Sequence, residues 1–312
     1  MNPPQRHFLG FTRPFLDALC SWVMEQAGDP RFPDLSNLLI VVQGARTARG
    51  LEQRLALRAD EAGVLLVPPR VTTPGNALSF LFHKPTSLAT AGGFAGHAAW
   101  VAALEGLAAE QKAVLGIGRS GPFSSVQRDL ASTLLGVDAE LVAGCLEAGA
   151  VAEILRANPD APERAACRWD VFDEVSRAAQ NHLARWGLQD PSRRKAGLAA
   201  QGDCLPDLHL VLAGLPDFDP LFLRGFERLT GRKDVLIFAE EGPGFDAWGR
   251  VVPEDWVGKK LDLAGGSLVA PEDSLAQAGV IAGWVGRREG AIIDAPDEAE
   301  IPGLMDAMQA RG

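Results

Sequence analysis

The chain has 312 residues, of which 47% are hydrophobic, so it holds enough apolar surface for a sizeable core. Its 40 acidic and 30 basic residues leave a net charge of −10, which argues against a protein that coats nucleic acid over its whole surface. None of the four cysteines forms a C-x-x-C pair and no apolar run approaches the roughly 18 residues of a membrane span, which excludes a zinc ribbon and a transmembrane helix. The amino terminus lacks the layout of a secretory signal, so we expect a cytoplasmic protein.

The first part of the chain predicts alternating strands and helices. A short apolar run at residues 7–11 precedes apolar residues at helical spacing through about residue 26, and Pro14 suits a first helical turn. The run NLLIVV at residues 37–42 does not alternate, as expected of a strand covered on both faces. Three further elements are predicted: a helix at residues 45–59, a buried strand at 64–67 ended by Pro68 and Pro69, and a segment at 71–82 that begins extended and becomes helical.

The middle of the chain, residues 89–200, is rich in Ala, Leu and Glu and predicts a block of several helices. Its breaks are expected at residues 116–122, 158–162 and 187–191. The last third returns to the earlier pattern, with these predicted elements: strands at residues 208–213 and 235–239, a helix at 220–229 between them, helices at 275–287 and 301–310, and an apolar stretch at 291–294.

This order predicts an α/β fold with a doubly wound, mainly parallel sheet that is interrupted by a helical subdomain. The expected organisation is a first part of the α/β domain at residues 1–88, a helical insertion at 89–200, the remainder of the α/β domain at 201–270, and the start of a second, truncated α/β half at 271–312.

Several segments, in this order, resemble the front half of a superfamily I helicase of the UvrD type, and more specifically the amino-terminal region of AddB-type double-strand-break repair proteins. They are HFLGFTRPFLDALCSWV, LLIVVQGARTARGLEQRLA, PPRVTTPGNALSFLF, RWDVFDEVSRAAQNHLARWGLQDPSRR, LHLVLAGLPDFDPLFLRGFERL and FDAWGRVVPEDW. They span nearly the whole chain. The resemblance implies a RecA-like, P-loop-type sheet.

The residues that such a domain needs for ATP hydrolysis are missing. The slot of the phosphate loop holds Gly10, Thr12 and Arg13 before Pro14, without the Gly-Lys-Thr that would hold phosphate and magnesium. The family's Asp-Glu pair is replaced by Ala213 and Gly214, and its Gly-Asp-x-x-Gln by a stretch that begins Ala-Glu-Glu-Gly at residue 239. We therefore expect a non-catalytic, helicase-like scaffold with no cofactor and no metal ion, the five histidines having no ligand spacing.

The segments that face nucleic acid in the family resemble this chain more closely than the ATP-hydrolysing motifs do. Gln43, Arg46 and Arg49 lie in the stretch that follows the first buried strand, and Thr73 occupies the hydroxyl position of the next family motif. The arginines stand one turn apart at a predicted helix start, where exposed amides also favour phosphate. The sequence leaves two interpretations open: contact with the backbone of a single DNA strand, or a solvated helix face.

Arg193, Arg194 and Lys195 form the strongest local basic cluster. They fall in the helical insertion, which forms part of the DNA channel in active relatives, and a solvated loop explains the cluster equally well. The aromatic stretch 245–256 also has two interpretations, because it is suited to stacking on bases or to packing on the sheet.

A competing function comes from residues Gly116 to Gly121, which match the G-x-G-x-x-G fingerprint of a dinucleotide-binding enzyme. The fingerprint has meaning only if a strand ends at Leu115 and a helix begins within the loop; a helix leading into the loop would remove it. The resemblance to the repair proteins implies other partners: DNA, an AddA-type helicase-nuclease subunit and, in the full-length relative, a carboxy-terminal nuclease domain of the PD-(D/E)XK family.

Overall fold

The computed structural model describes residues 3–83, 88–118, 125–205, 208–259, 269, 271–285 and 301–309. The chain divides into two compact units, Met1–Trp256 and Val257–Gly312. No helix within these described ranges is long and apolar enough to cross a membrane.

The first unit is built on a sheet of five parallel strands. The strands of the unit are, in chain order, β1 (Gln5–Phe8), β2 (Leu38–Val42), β3 (Arg70–Thr72), β4 (Phe82–His83), β5 (Ala89–Thr90), β6 (Leu188–Gln189), β7 (Asp203–Cys204), β8 (His209–Ala213) and β9 (Lys233–Ile237). The central sheet has the order β1-β9-β8-β2-β3, and every pairing in it is parallel. The prediction that the strands near residues 38–42, 208–213 and 235–239 share one parallel sheet is therefore confirmed.

Helices cover both faces of this sheet. The helices of the unit are α1 (Phe15–Glu25), α2 (Ala45–Ala62), α3 (Pro74–Leu81), α4 (Gly93–Glu105), α5 (Ala109–Val114), α6 (Ser125–Ala143), α7 (Ala148–Ala157), α8 (Glu163–Arg185), α9 (Pro191–Gln201) and α10 (Pro220–Arg228). In β2, Leu38 and Ile40 pack with α1 and α2, whereas Leu39 and Val41 pack with α3, α9 and α10. All five residues of β2 are buried, which explains its unbroken apolar sequence and confirms the doubly wound α/β architecture.

The predicted strand at residues 64–67 is wrong. Leu65 is 76% exposed, and Val67 makes only an isolated bridge with Asp34. The strand beside β2 is β3, which lies after the two prolines rather than before them. Proline has no N–H to donate to a ladder, so pairing with β2 starts where the prolines end. The segment then becomes α3, as predicted for residues 71–82.

The helical insertion has its own core. Residues of α4, α6 and α8 form it, including Trp100, Leu134 and Phe172. Two short pairings close its base, β5 with β6 in parallel and β4 with β7 in antiparallel orientation. The last helix of the predicted block, α9, also places Leu198 and Ala199 in the core of the central sheet.

The second unit, by itself, contains the helices α11 (Ser274–Val285) and α12 (Ile301–Gln309), which pack against each other. Both helices were predicted, at residues 275–287 and 301–310. The predicted apolar stretch at residues 291–294 lies outside the described residues.

Candidate functional site

The carboxyl edge of the central sheet is where a doubly wound fold places a ligand. The helices α1, α2, α3 and α10 follow strands β1, β2, β3 and β8, so they all begin at this edge. The unpaired amides of their first turns lie there. The helix after β2 lies on one face of the sheet and the helix after β8 on the other, although the two strands are neighbours. Such a switch point leaves a crevice beyond the strand ends, which is the usual ligand position in open α/β sheets.

The residues predicted to be a degenerate phosphate slot, Gly10, Thr12 and Arg13, lie beyond β1. Gly10 adopts a φ of 65°, and its N–H donates to the carbonyl of Ala239 at 3.2 Å, so this amide is occupied. A carboxylate oxygen of Glu240 stands 3.4 Å from the position of a Cβ added to Gly10. Thr12 and Arg13 are exposed in the turn before α1. A negative charge beside the glycine opposes phosphate at this position.

Aromatic side chains occupy the crevice at the switch point. The rings of Phe15 and Phe238 are in contact, tilted by 48° to each other with their centroids 4.2 Å apart. Gly214 ends β8 with a φ of 61°, and Phe15 Cε2 lies 2.5 Å from where a Cβ on Gly214 would stand, so only glycine fits there. The Phe15–Phe238 pair lines a cavity of about 340 Å³, whose other lining residues are chiefly apolar, with Gln43 and Thr47 on one wall. No charged side chain of the described residues lines it.

The predicted DNA-contacting residues Gln43, Arg46, Arg49 and Thr73 come together at the same edge. Gln43 follows β2, the two arginines are exposed in the first turns of α2, and Thr73 is the residue before α3. Because β2 and β3 are adjacent and parallel, the starts of α2 and α3 lie side by side. Among the described residues, neither Arg46 nor Arg49 has an ion-pair partner. Two uncompensated guanidinium groups therefore stand beside two helix N-termini.

The predicted cluster Arg193, Arg194 and Lys195 lies elsewhere, in the first turns of α9, on the face of the sheet opposite α2. Arg193 donates to buried Asp138 at 2.7 Å and to Ser176 at 3.4 Å, and it thereby ties α9 to α6 and α8. Arg194 donates to the hydroxyl of Thr90 at 2.5 Å. Within the cluster, Arg193 therefore serves the packing of the insertion.

The G-x-G-x-x-G match is not in the context that a dinucleotide site needs. Leu115 follows helix α5, not a strand, and Gly116 turns the chain out of that helix with a φ of 76°. The amide of Ile117 closes the turn by donating to the carbonyl of Lys112 at 2.8 Å. This is a helix C-cap. Residues 119–124, with Gly121, lie outside the described residues.

The aromatic stretch 245–256 packs on the sheet. Trp248 is buried in the same core as Phe226, and a Cβ on Gly249 would meet Val235 at 2.6 Å. Asp246 organises the loop by accepting from the amides of Trp248 and Arg250 at 2.8 and 2.9 Å. The loop thus covers β9 on the face where α3, α9 and α10 lie.

The opposite, amino edge of the sheet holds a buried carboxylate. Asp234 is fully buried and accepts from His7 at 2.9 Å, His209 at 2.5 Å and Arg232 at 2.8 Å. Burial alone would raise the pKa of Asp234, but hydrogen bonds from His209 and His7 and the charge of Arg232 hold it below its ordinary value. Among the described residues, no group of three or more His, Cys, Asp or Glu side chains is arranged to hold a metal ion.

Sequence reasoning missed the residues that shape the crevice, namely Phe15, Thr47 and Phe238. Phe15 reads in sequence as an ordinary helix residue, because its partner Phe238 is 223 positions away. Neither a family model nor a curated protein matches this chain. The geometry of the carboxyl edge is therefore the main evidence for its function.

Proposed function

We propose that this chain is a non-catalytic, helicase-like module that binds the backbone of a single DNA strand and does not hydrolyse ATP. Its α/β unit is, in this proposal, a RecA-like domain of the P-loop type whose nucleotide site has degenerated. One observation carries the proposal: the carboxyl edge is split into an uncharged crevice beyond β8 and β9 and a patch of unpaired arginines beyond β2.

The crevice argues against catalysis. Hydrolysis of ATP requires a cation for the β- and γ-phosphates and a carboxylate for magnesium. The cavity wall supplies neither, and it includes the rings of Phe15 and Phe238 in contact with each other. The nearby Glu240 adds a charge of the wrong sign beside Gly10.

The arginine patch supports a polyanionic partner. Leu16 Cδ1 in the first turn of α1 lies 2.9 Å from the Cβ position of Gly50, so α1 packs against the first half of α2. Phosphates passing over this edge would meet guanidinium groups, the Thr73 hydroxyl and free amides at the start of α2. Few bases are contacted in this arrangement, so binding is weak, insensitive to sequence and steeply salt-dependent.

In a larger assembly, this module would line part of a DNA channel and leave the ATP-driven movement to an AddA-type helicase-nuclease subunit. The net charge of −10 fits such a division, because an isolated acidic chain binds DNA poorly without a partner that completes the channel.

The direct test is fluorescence anisotropy with a labelled oligothymidine of about 15 nucleotides, at about 0.05 and 0.2 M salt. The Arg46→Ala/Arg49→Ala variant is expected to bind about three- to tenfold more weakly at the lower salt. Its slope of log affinity against log salt should fall by roughly 1.4, since each contact with a single-strand phosphate contributes about 0.7.

Arg58→Ala is the matched control. Arg58 is exposed on the same helix, nine residues after Arg49 and hence about 14 Å farther along the axis, which exceeds the screening length of less than about 8 Å at the higher salt. It should bind like the wild type. Equal binding by the double variant and the control would contradict the DNA proposal. DNA-stimulated release of phosphate from ATP, abolished by Arg13→Ala, would contradict the absence of catalysis.

A further inference from the structure

We infer that the cavity at the switch point is a binding site for an uncharged, planar heteroaromatic ligand. This inference goes beyond DNA binding and does not rest on it, because neither Arg46 nor Arg49 lines the cavity.

The size and position of the cavity are those of a small-molecule site. Its volume of about 340 Å³ falls within the range of ligand pockets, roughly 300–1,000 Å³. It opens where the connections after β2 and β8 diverge to opposite faces, which is the ligand position of doubly wound sheets.

The walls select a flat and neutral ring. Phe15, Phe238 and Trp248 all line the cavity, and aromatic faces favour offset or edge-to-face contact with another ring. Leu215 and Pro216 close the wall on the side of β8. With no charged side chain among the described lining residues, a charged ligand would lose its hydration without a compensating partner.

Two polar groups make the expected ligand a heterocycle instead of a hydrocarbon. The Gln43 amide and the Thr47 hydroxyl line one wall, and within the described part of the chain neither side chain has a hydrogen-bond partner. Gln43 lies between β2 and α2, and Thr47 lies in the first turn of α2, so both polar groups come from one short stretch of the chain. A ring with a nitrogen acceptor beside an N–H donor satisfies both of them, as in the usual design of an apolar pocket with few orienting polar groups.

The test compares indole with benzimidazole, which have the same shape but differ by one ring nitrogen, on the full chain at a pH where benzimidazole is neutral. Saturation-transfer NMR should detect both ligands, with dissociation constants of about 0.1–1 mM for ligands of this size. Benzimidazole should bind about three- to tenfold more tightly than indole, because one extra hydrogen bond forms. Benzimidazole-5-carboxylate and ATP with magnesium should not bind in the cavity.

Two variants at one position locate the site. Thr47→Val should remove most of the preference for benzimidazole and change indole binding by less than about twofold. Thr47→Phe should abolish binding of both, because its ring fills the cavity, whereas Arg58→Ala should change neither. The inference is overturned if neither ligand binds at millimolar concentration, if Thr47→Val and Thr47→Phe bind like the wild type, or if the carboxylate and ATP compete with benzimidazole.

Discussion

Among the described residues, charged side chains are paired at one edge of the central sheet and unpaired at the other. At the amino edge, one buried carboxylate is paired with three side chains from β1, β8 and the segment before β9. At the carboxyl edge, the crevice contains no charge among its described lining residues, and the arginines beside it have no ion-pair partner in the described chain. A paired buried charge holds strands together, whereas an unpaired exposed charge is available to a ligand. The comparison therefore separates the charges that maintain the fold from those that we assign to function.

The largest effect is expected at the amino edge. Asp234→Asn should lower the free energy of unfolding by about 2–4 kcal/mol, because an amide accepts fewer of the three donors and carries no charge opposite Arg232. Urea denaturation measures the change. Asp160→Asn, at an exposed aspartate of the turn before α8, is the control and should change stability by less than about 0.5 kcal/mol. Equal effects of the two substitutions would mean that the amino-edge cluster does not stabilise the sheet.

A smaller effect is expected in the insertion. Arg193→Ala should lower the free energy of unfolding by about 1–3 kcal/mol, because it leaves the carboxylate of Asp138 buried with Ser176 as its remaining donor. Arg46→Ala removes the same side chain from an unpaired and exposed position, and should change stability by less than about 0.5 kcal/mol. If Arg193→Ala instead weakened DNA binding and left stability unchanged, Arg193 would be a DNA-contacting residue and not one that holds the insertion together.

The smallest effect is a dependence on pH. The pKa of Asp234 in the folded protein lies below its ordinary value, so its contribution to stability is complete above that ordinary value and is lost as the pH falls through the lowered one. The part of the wild type's stability advantage over Asp234→Asn that comes from the charge of Asp234 should therefore narrow below about pH 4. Denaturation curves of both proteins across the acid range check this. A stability advantage of the wild type over Asp234→Asn that grew towards low pH would contradict a lowered pKa of Asp234.

Much of the fold followed from local pattern. Unbroken apolar runs predict β2, β8 and residues 235–237 of β9, because a strand covered on both faces has no polar side to show. β9 itself begins two residues before its apolar run, at Lys233 and Asp234, whose polar groups have partners in the fold. The change in composition predicts the helical insertion, and proline and glycine mark its breaks. The same reasoning failed at residues 64–67, since an apolar run next to two prolines does not reveal which side of them pairs with the sheet.

The candidate site was only partly accessible from sequence. The motif resemblance and helix position predicted Gln43, Arg46, Arg49 and Thr73, which the fold places at one edge. Arg193 was grouped with them by charge alone, and a sequence gives no sign that its partners Asp138 and Ser176 lie on two other helices.

What the sequence by itself determined is most of the helices and the central strands of the sheet, because hydrophobic periodicity is local. Only the tertiary structure decided which charges are paired and which side chains line the crevice. The contacts of Asp234 with His7 and of Phe15 with Phe238 join residues more than 200 positions apart. Such contacts depend on strand order and helix packing, and no local pattern encodes them.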